Sequence, residues 1–143
     1  MSFSQIFEIS GSGLTAQTVR MNTISSNLAN AESVADSPEK TYKAQYPVFS
    51  VVKYQADQNF FSDSLNNGFG VDVKGIYEQE AEPIKRYEPN HPLADQDGYL
   101  HMPNINVVEQ MADMIAASRA YQTNVDVMQT AKDMMQKIIT LGQ

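Results

Sequence analysis

Residues 107–141 read VVEQMADMIAASRAYQTNVDVMQTAKDMMQKIITL, and this stretch decides the fold. At alternating steps of three and four it places Val107, Met111, Met114, Ser118, Tyr121, Val125, Met128, Lys132, Met135 and Ile139 in line. Eight of those ten are apolar, the pattern of one helical face. Neither Pro nor Gly interrupts Ile105 to Leu141, and Gly142 offers a stop. Asn106 is placed to cap the first turn, with Glu109 where a capping-box acid stands. A helix from Val107 to Leu141 is about 52 Å long at ~1.5 Å per residue. That exceeds what the core of so short a chain can enclose, so the helix must project or lie along another.

The N-terminal segment supplies a second helix. Phe7, Leu14, Met21 and Leu28 fall seven residues apart, within a line that also holds Phe3, Ile24 and Ala31. Its intrinsic propensity is poor, since residues 1–31 hold six Ser, three Thr, three Asn and two Gly. Gly11-Ser12-Gly13 is a point of fraying or kinking. Such a helix needs a partner along its seam.

The middle differs. All six prolines lie in residues 32–104. Val48–Tyr54 and Gly70–Tyr77 read as strands, Ile84–Tyr87 as a short edge strand after Pro83, and Ser64–Gly68 as a turn. The expected fold is α+β. Two long terminal helices pair as an antiparallel coiled coil, with a small β-rich module between them. Residues 1–31 and 105–143 form the helical part, and residues 32–104 the outer module with its connections.

Net charge is −7 over 143 residues. Residues 32–104 carry twelve acids and six bases, whereas residues 1–31 carry only Glu8 and Arg20. An acidic surface repels nucleic acid. The nearly neutral ends suit a covered surface. There is no cysteine, hence no disulfide or thiolate chemistry. No apolar run reaches the ~18 residues of a membrane span, and Met1–Ser10 lacks the basic start of a secretory signal. Any export is expected to proceed without signal cleavage.

Catalytic and metal chemistry find little support. Gly11-Ser12-Gly13 lacks the Lys-Ser/Thr of a phosphate loop. No nucleophile elbow is present. Glu78, Glu80, Glu82 and Glu88 alternate as acids on a solvated face do. His91–His101, with Asp95 and Asp97, matches neither a zinc nor a calcium pattern. It reads as a turn in which Asp95 or Asp97 accepts backbone N–H groups and Gly98 takes a positive φ. No catalytic residue, metal ligand or cofactor is expected.

Ser25-Ser26-Asn27-Leu28-Ala29-Asn30-Ala31 resembles the signature of the flagellar rod and hook axial proteins. So does Gly98–Met111, continued through Ala117-Ser118-Arg119-Ala120-Tyr121-Gln122-Thr123-Asn124. Together they cover about half the chain, at both ends. Ser33 stands where the family usually has Thr, and Tyr42-Lys43-Ala44 has one base where a basic pair is usual. The resemblance implies a structural subunit, not an enzyme. It implies helical polymerisation into the flagellar rod that crosses the periplasm, with the terminal helices around an export channel. Implied partners are other rod subunits, proximal and distal, the adapter joining rod to membrane ring, and the flagellar type III export apparatus.

Ser26, Asn27, Leu28, Ala29, Asn30 and Ala31 are then the assembly motif. Phe7, Leu14, Met21, Met111, Met114, Ile115, Tyr121, Val125, Met128, Met135 and Ile139 are candidates for seam and subunit packing. Arg119 and Asn124 are candidates for a polar contact between subunits. Two alternatives stay open on the residues alone. The methionines can form an intramolecular core, and the chain can be a self-contained binding module holding a cation at His91–His101.

Overall fold

The structure is a computed structural model and describes residues 3–54 and 68–141. The fold is α+β. In chain order it runs α1 (Phe3–Asn30), a 3-10 turn (Pro38–Lys40), β1 (Gln45–Tyr54), β2 (Gly68–Glu78), β3 (Ile84–Tyr87), β4 (Tyr99–Met102) and α2 (Val107–Leu141). The turn expected at Ser64–Gly68 lies, up to residue 67, outside the described residues. Among them no helix is long and apolar enough to cross a membrane.

Poor propensity does not break α1, which runs through Gly11-Ser12-Gly13 without interruption. Its hydroxyls bond back to the helix: Ser12 Oγ donates to Ile9 O at 2.8 Å and Thr18 Oγ1 to Leu14 O at 2.9 Å. At its end Asn30 Nδ2 donates back to Ser26 O, one turn earlier, at 2.8 Å. At the start of α2, Asn106 Oδ1 accepts from Val108 N at 3.1 Å and Glu109 N at 3.4 Å, so Asn106 is the N-cap.

The chain divides into two compact units. The first comprises Met1–Val19, Val48–Gly75 and Ala116–Gln143. Here β2 lies on α1. Gly68 faces Ile9, where a Cβ would sit 3.4 Å from Ile9 Cδ1, and Ser12 Oγ accepts from Val71 N at 3.1 Å. Gly13 stands against α2: a Cβ there would come within 3.0 Å of Asn124.

The second unit comprises Arg20–Pro47 and Ile76–Ile115. β3 and β4 pair antiparallel, Ile84 opposite Met102 and Tyr87 opposite Tyr99. Ala35 extends this sheet by a bridge to His101, with N–H to O bonds of 2.9 and 3.1 Å in the two directions. Gln79 N donates to Ala44 O at 2.8 Å, tying the approach to β1 to the end of β2. Among the described residues Leu100 is the largest apolar side chain to be fully buried.

Candidate functional site

Asn27 is fully buried on the last turn of α1. Its Oδ1 accepts from Gln45 N at 2.8 Å and from Tyr42 Oη at 3.0 Å. Its Nδ2 donates to Gln45 O at 2.8 Å and to Gln110 Oε1 at 3.0 Å. An amide offers two donors and two acceptor sites, and all four are filled inside the chain. Gln110, itself buried on the first turn of α2, donates from Nε2 to Tyr46 Oη at 3.5 Å. Burial, helped by the Glu78 carboxylate, holds the Tyr42 phenol above its ordinary pKa, so it donates as a neutral hydroxyl. One side chain thus ties the end of α1, the start of β1 and the start of α2. Nearby, Arg20 Nη2 meets Asp113 Oδ1 at 3.2 Å, a half-exposed ion pair between the helices.

The β3–β4 connection is the turn its residues suggest. Asp95 Oδ1 accepts from Asp97 N at 2.9 Å and Tyr99 N at 2.8 Å, and Gly98 has φ 82°. A Cβ on Gly98 would lie 3.0 Å from the Tyr87 ring. His101 Nε2 lies 3.3 Å from Asp95 Oδ2. The Tyr99 N–H, chiefly, then the Asp97 N–H and His101, hold the Asp95 carboxyl below the ordinary carboxylate range. Among the described residues no three His, Asp or Glu side chains gather closely enough for a metal ion.

The residues of the assembly motif separate. Asn27 and Ala31 are buried, Asn30 is half-buried, and Ser26, Leu28 and Ala29 are exposed. Phe7, Leu14, Met21, Met114, Tyr121, Val125, Met128 and Met135 are half-buried, whereas Met111, Ile115 and Ile139 are exposed. Arg119 is exposed. Asn124 is half-buried beside Gly13, its Nδ2 donating to Ala120 O at 3.0 Å.

The buried helical residues keep Ser10 and Ile24 of the expected seam and otherwise lie beside it. On α1 they are Gln5, Ser10, Ala16, Thr23, Ile24 and Asn27, and on α2 Gln110, Ala117 and Ala131. With Asn124, the α2 set repeats every seventh residue. Tyr42, Gln45 and Gln110 were not legible as a site from sequence. The sevenfold spacing of small and polar residues was the one signal available for the buried line.

These features define a class: an α+β structural protein whose long helices meet through small and polar residues and leave large apolar ones uncovered. Comparison with known proteins agrees. Residues 7–34 match the family model "Flagella basal body rod protein", and residues 96–141 match "Flagellar basal body rod FlgEFG protein C-terminal". The chain is 44% identical over 143 residues to the flagellar basal-body rod protein FlgC of Escherichia coli O157:H7, covering all of both chains. It is 42% identical to FlgC of Salmonella typhimurium, again over all of both chains. FlgC of Borreliella burgdorferi is 36% identical over 149 positions, covering 99% of this chain and 97% of that one. The chain belongs to the FlgC family of flagellar basal-body rod proteins, which are structural proteins and not enzymes.

Proposed function

We propose that the chain is a structural subunit of the flagellar basal-body rod and polymerises helically through α1 and α2. The observation that carries this reading is the exposure of α2: Val108, Met111, Ile115, Val127, Met134, Ile138, Ile139 and Leu141 lie open to solvent in the single chain. Leaving that much apolar surface in water is costly, and covering it is the main drive of association. The helices pair as an antiparallel coiled coil, a reading supported by Gly13 against Asn124, Arg20 on Asp113 and Asn27 on Gln110.

Residues 1–31 and 105–143 then make the inner wall around an export channel, and residues 32–104 the outer module. The assembly motif acts through its exposed members, Ser26, Leu28 and Ala29, while Asn27 fixes the helix end that presents them. Arg119 bridges to a neighbouring subunit. The partners are the other rod subunits, proximal and distal, the rod-to-membrane-ring adapter and the type III export apparatus. The chain acts in the part of the basal body that crosses the periplasm.

Substituting Ile115→Asp or Met128→Asp places a charge where a neighbour must pack. In cells lacking their own copy, both variants are expected to be made yet absent from isolated basal bodies. Normal basal bodies and swimming with both would refute the reading.

A further inference from the structure

We infer that Asp97–Gly98 is a site of spontaneous aspartate isomerisation, shut in the folded hairpin and open in the unfolded chain. This is independent of the rod reading above, since it concerns one peptide bond of the single chain.

The chemistry starts from the residue pair. The amide nitrogen that follows an aspartate can attack the side-chain carboxyl carbon. A carbon–nitrogen bond forms and a carbon–oxygen bond breaks. The oxygen leaves as water, taking the amide proton and one proton from solvent, and a cyclic imide remains. Water then adds back at either carbonyl and opens the ring. Opening at the main-chain carbonyl frees the α-carboxyl and routes the chain through the side-chain carboxyl. Mass is unchanged, and no reactant but water takes part. Bulk on the attacking residue slows the first step, so glycine, with no Cβ, is the most reactive neighbour. Asp97 is the one aspartate of this chain that a glycine follows.

The folded turn opposes the attack. The attacking nitrogen must give up its proton, and in the fold Gly98 N donates that proton to Asp95 O at 3.0 Å. The peptide must also rotate, and it is fixed from both sides. Asp97 N and Tyr99 N donate to Asp95 Oδ1 at 2.9 and 2.8 Å, and Asp95 N donates to Tyr99 O at 2.9 Å. Gly98 is buried at φ 82°, with the Tyr87 ring and Pro89 against the place a Cβ would take. Asp97 is exposed, so solvent reaches its carboxyl and the barrier lies in the backbone. Attack waits for the turn to open, and its rate follows the population of the opened turn.

The product does not fit the turn. Isomerisation inserts one carbon into the main chain between Asp97 Cα and Gly98 N. The added atom displaces Gly98 N from Asp95 O and Tyr99 N from Asp95 Oδ1, two of the bonds that close the turn. It also leaves a free α-carboxylate, the group that an isoaspartyl carboxyl methyltransferase recognises.

The test ages the purified full chain at neutral pH, folded in buffer and unfolded in guanidinium chloride. Isoaspartate at position 97 is read by electron-transfer fragmentation of the peptide that holds it, and by methyl uptake of that peptide from an isoaspartyl methyltransferase. Any product at Asn67-Gly68 is set apart by the mass gained when the amide is lost. The unfolded chain is expected to accumulate isoaspartate at position 97 at least about tenfold faster than the folded chain. Asp95→Ala removes the carboxylate on which the Asp97 and Tyr99 N–H groups rest, and it is expected to raise the folded-state rate several-fold. No isoaspartate at position 97 in the unfolded chain would overturn the site. Equal rates in the folded and unfolded chain would overturn the shielding, as would a folded-state rate indifferent to Asp95→Ala. Should Asp95→Ala not fold, the comparison within the parent chain decides alone.

Discussion

The side-chain amide of Asn27 donates to that of Gln110 at 3.0 Å, joining the last turn of α1 to the first turn of α2 across 83 residues of sequence. Gln45 and Tyr42 occupy the remaining positions on Asn27. A buried amide with every site filled is rigid, and it is expensive to disturb.

Asn27→Ala strands the Gln45 N–H and C=O, the Tyr42 hydroxyl and the Gln110 carbonyl together. At about 1–3 kcal/mol for each buried polar group left unpaired, a loss of at least about 3 kcal/mol is expected in urea unfolding of the purified chain. Asn30→Ala removes one bond to Ser26 O near the surface, and about 1 kcal/mol or less is expected there. Equal losses would mean that the Asn27 cluster is no special tie.

The two glycines of α1 are expected to respond in opposite directions. A Cβ on Gly11 meets nothing within 4 Å. Gly11→Ala should therefore stabilise the helix by about 0.5–1 kcal/mol. At Gly13 the space belongs to Asn124, whose amide is held on Ala120 O. Gly13→Val should cost about 1–3 kcal/mol through overpacking. Thermal melting of both variants checks the pair, and a stabilising Gly13→Val would place α2 elsewhere.

Acid should loosen the β3–β4 hairpin. Asp95 has its carboxyl pKa lowered in the folded chain. Its contribution is therefore present above the unfolded carboxylate value of about 3.9 and is lost as pH falls through the lower folded value. Urea midpoints followed from pH 6 down to about pH 2 should fall for the parent chain. Asp95→Asn should start lower and decline less. Parallel curves would show that Asp95 is not responsible. Asp36, lowered by Lys40 at the surface, acts in the same direction.

Arg20 and Asp113 are each about a third exposed. A double-mutant cycle with Arg20→Ala and Asp113→Ala should give a coupling of about 0.2–1 kcal/mol, falling with added salt. A larger, salt-independent coupling would indicate a drier interface between the helices.

Much of this fold is legible in sequence, for identifiable reasons. An uninterrupted run with apolar residues at steps of three and four reads directly as α2. Pro83 announces the edge strand β3, and Asp95 with Gly98 announces the turn after it. The partners of Asn27 were not legible, because they lie 15, 18 and 83 residues away and only folding brings them together. The buried line of α1 is legible only in part, at Ile24, for another reason. Ser10, Ala16 and Thr23 carry no hydrophobic signal, whereas Phe7, Leu14 and Met21 carry a strong one and are only half-buried. Periodicity reports an apolar face without saying whether the same chain or another covers it.

The central claim is that the apolar faces of α2 are covered only in the assembled rod. Hydrogen exchange read by mass spectrometry, on the monomeric chain and on isolated basal bodies, tests it most directly. The account expects the amides of residues 107–141 to exchange measurably faster in the monomer than in basal bodies, with residues 84–102 protected alike in both. Equal protection of residues 107–141 in the two states would contradict it, since those helices would already have every neighbour they need.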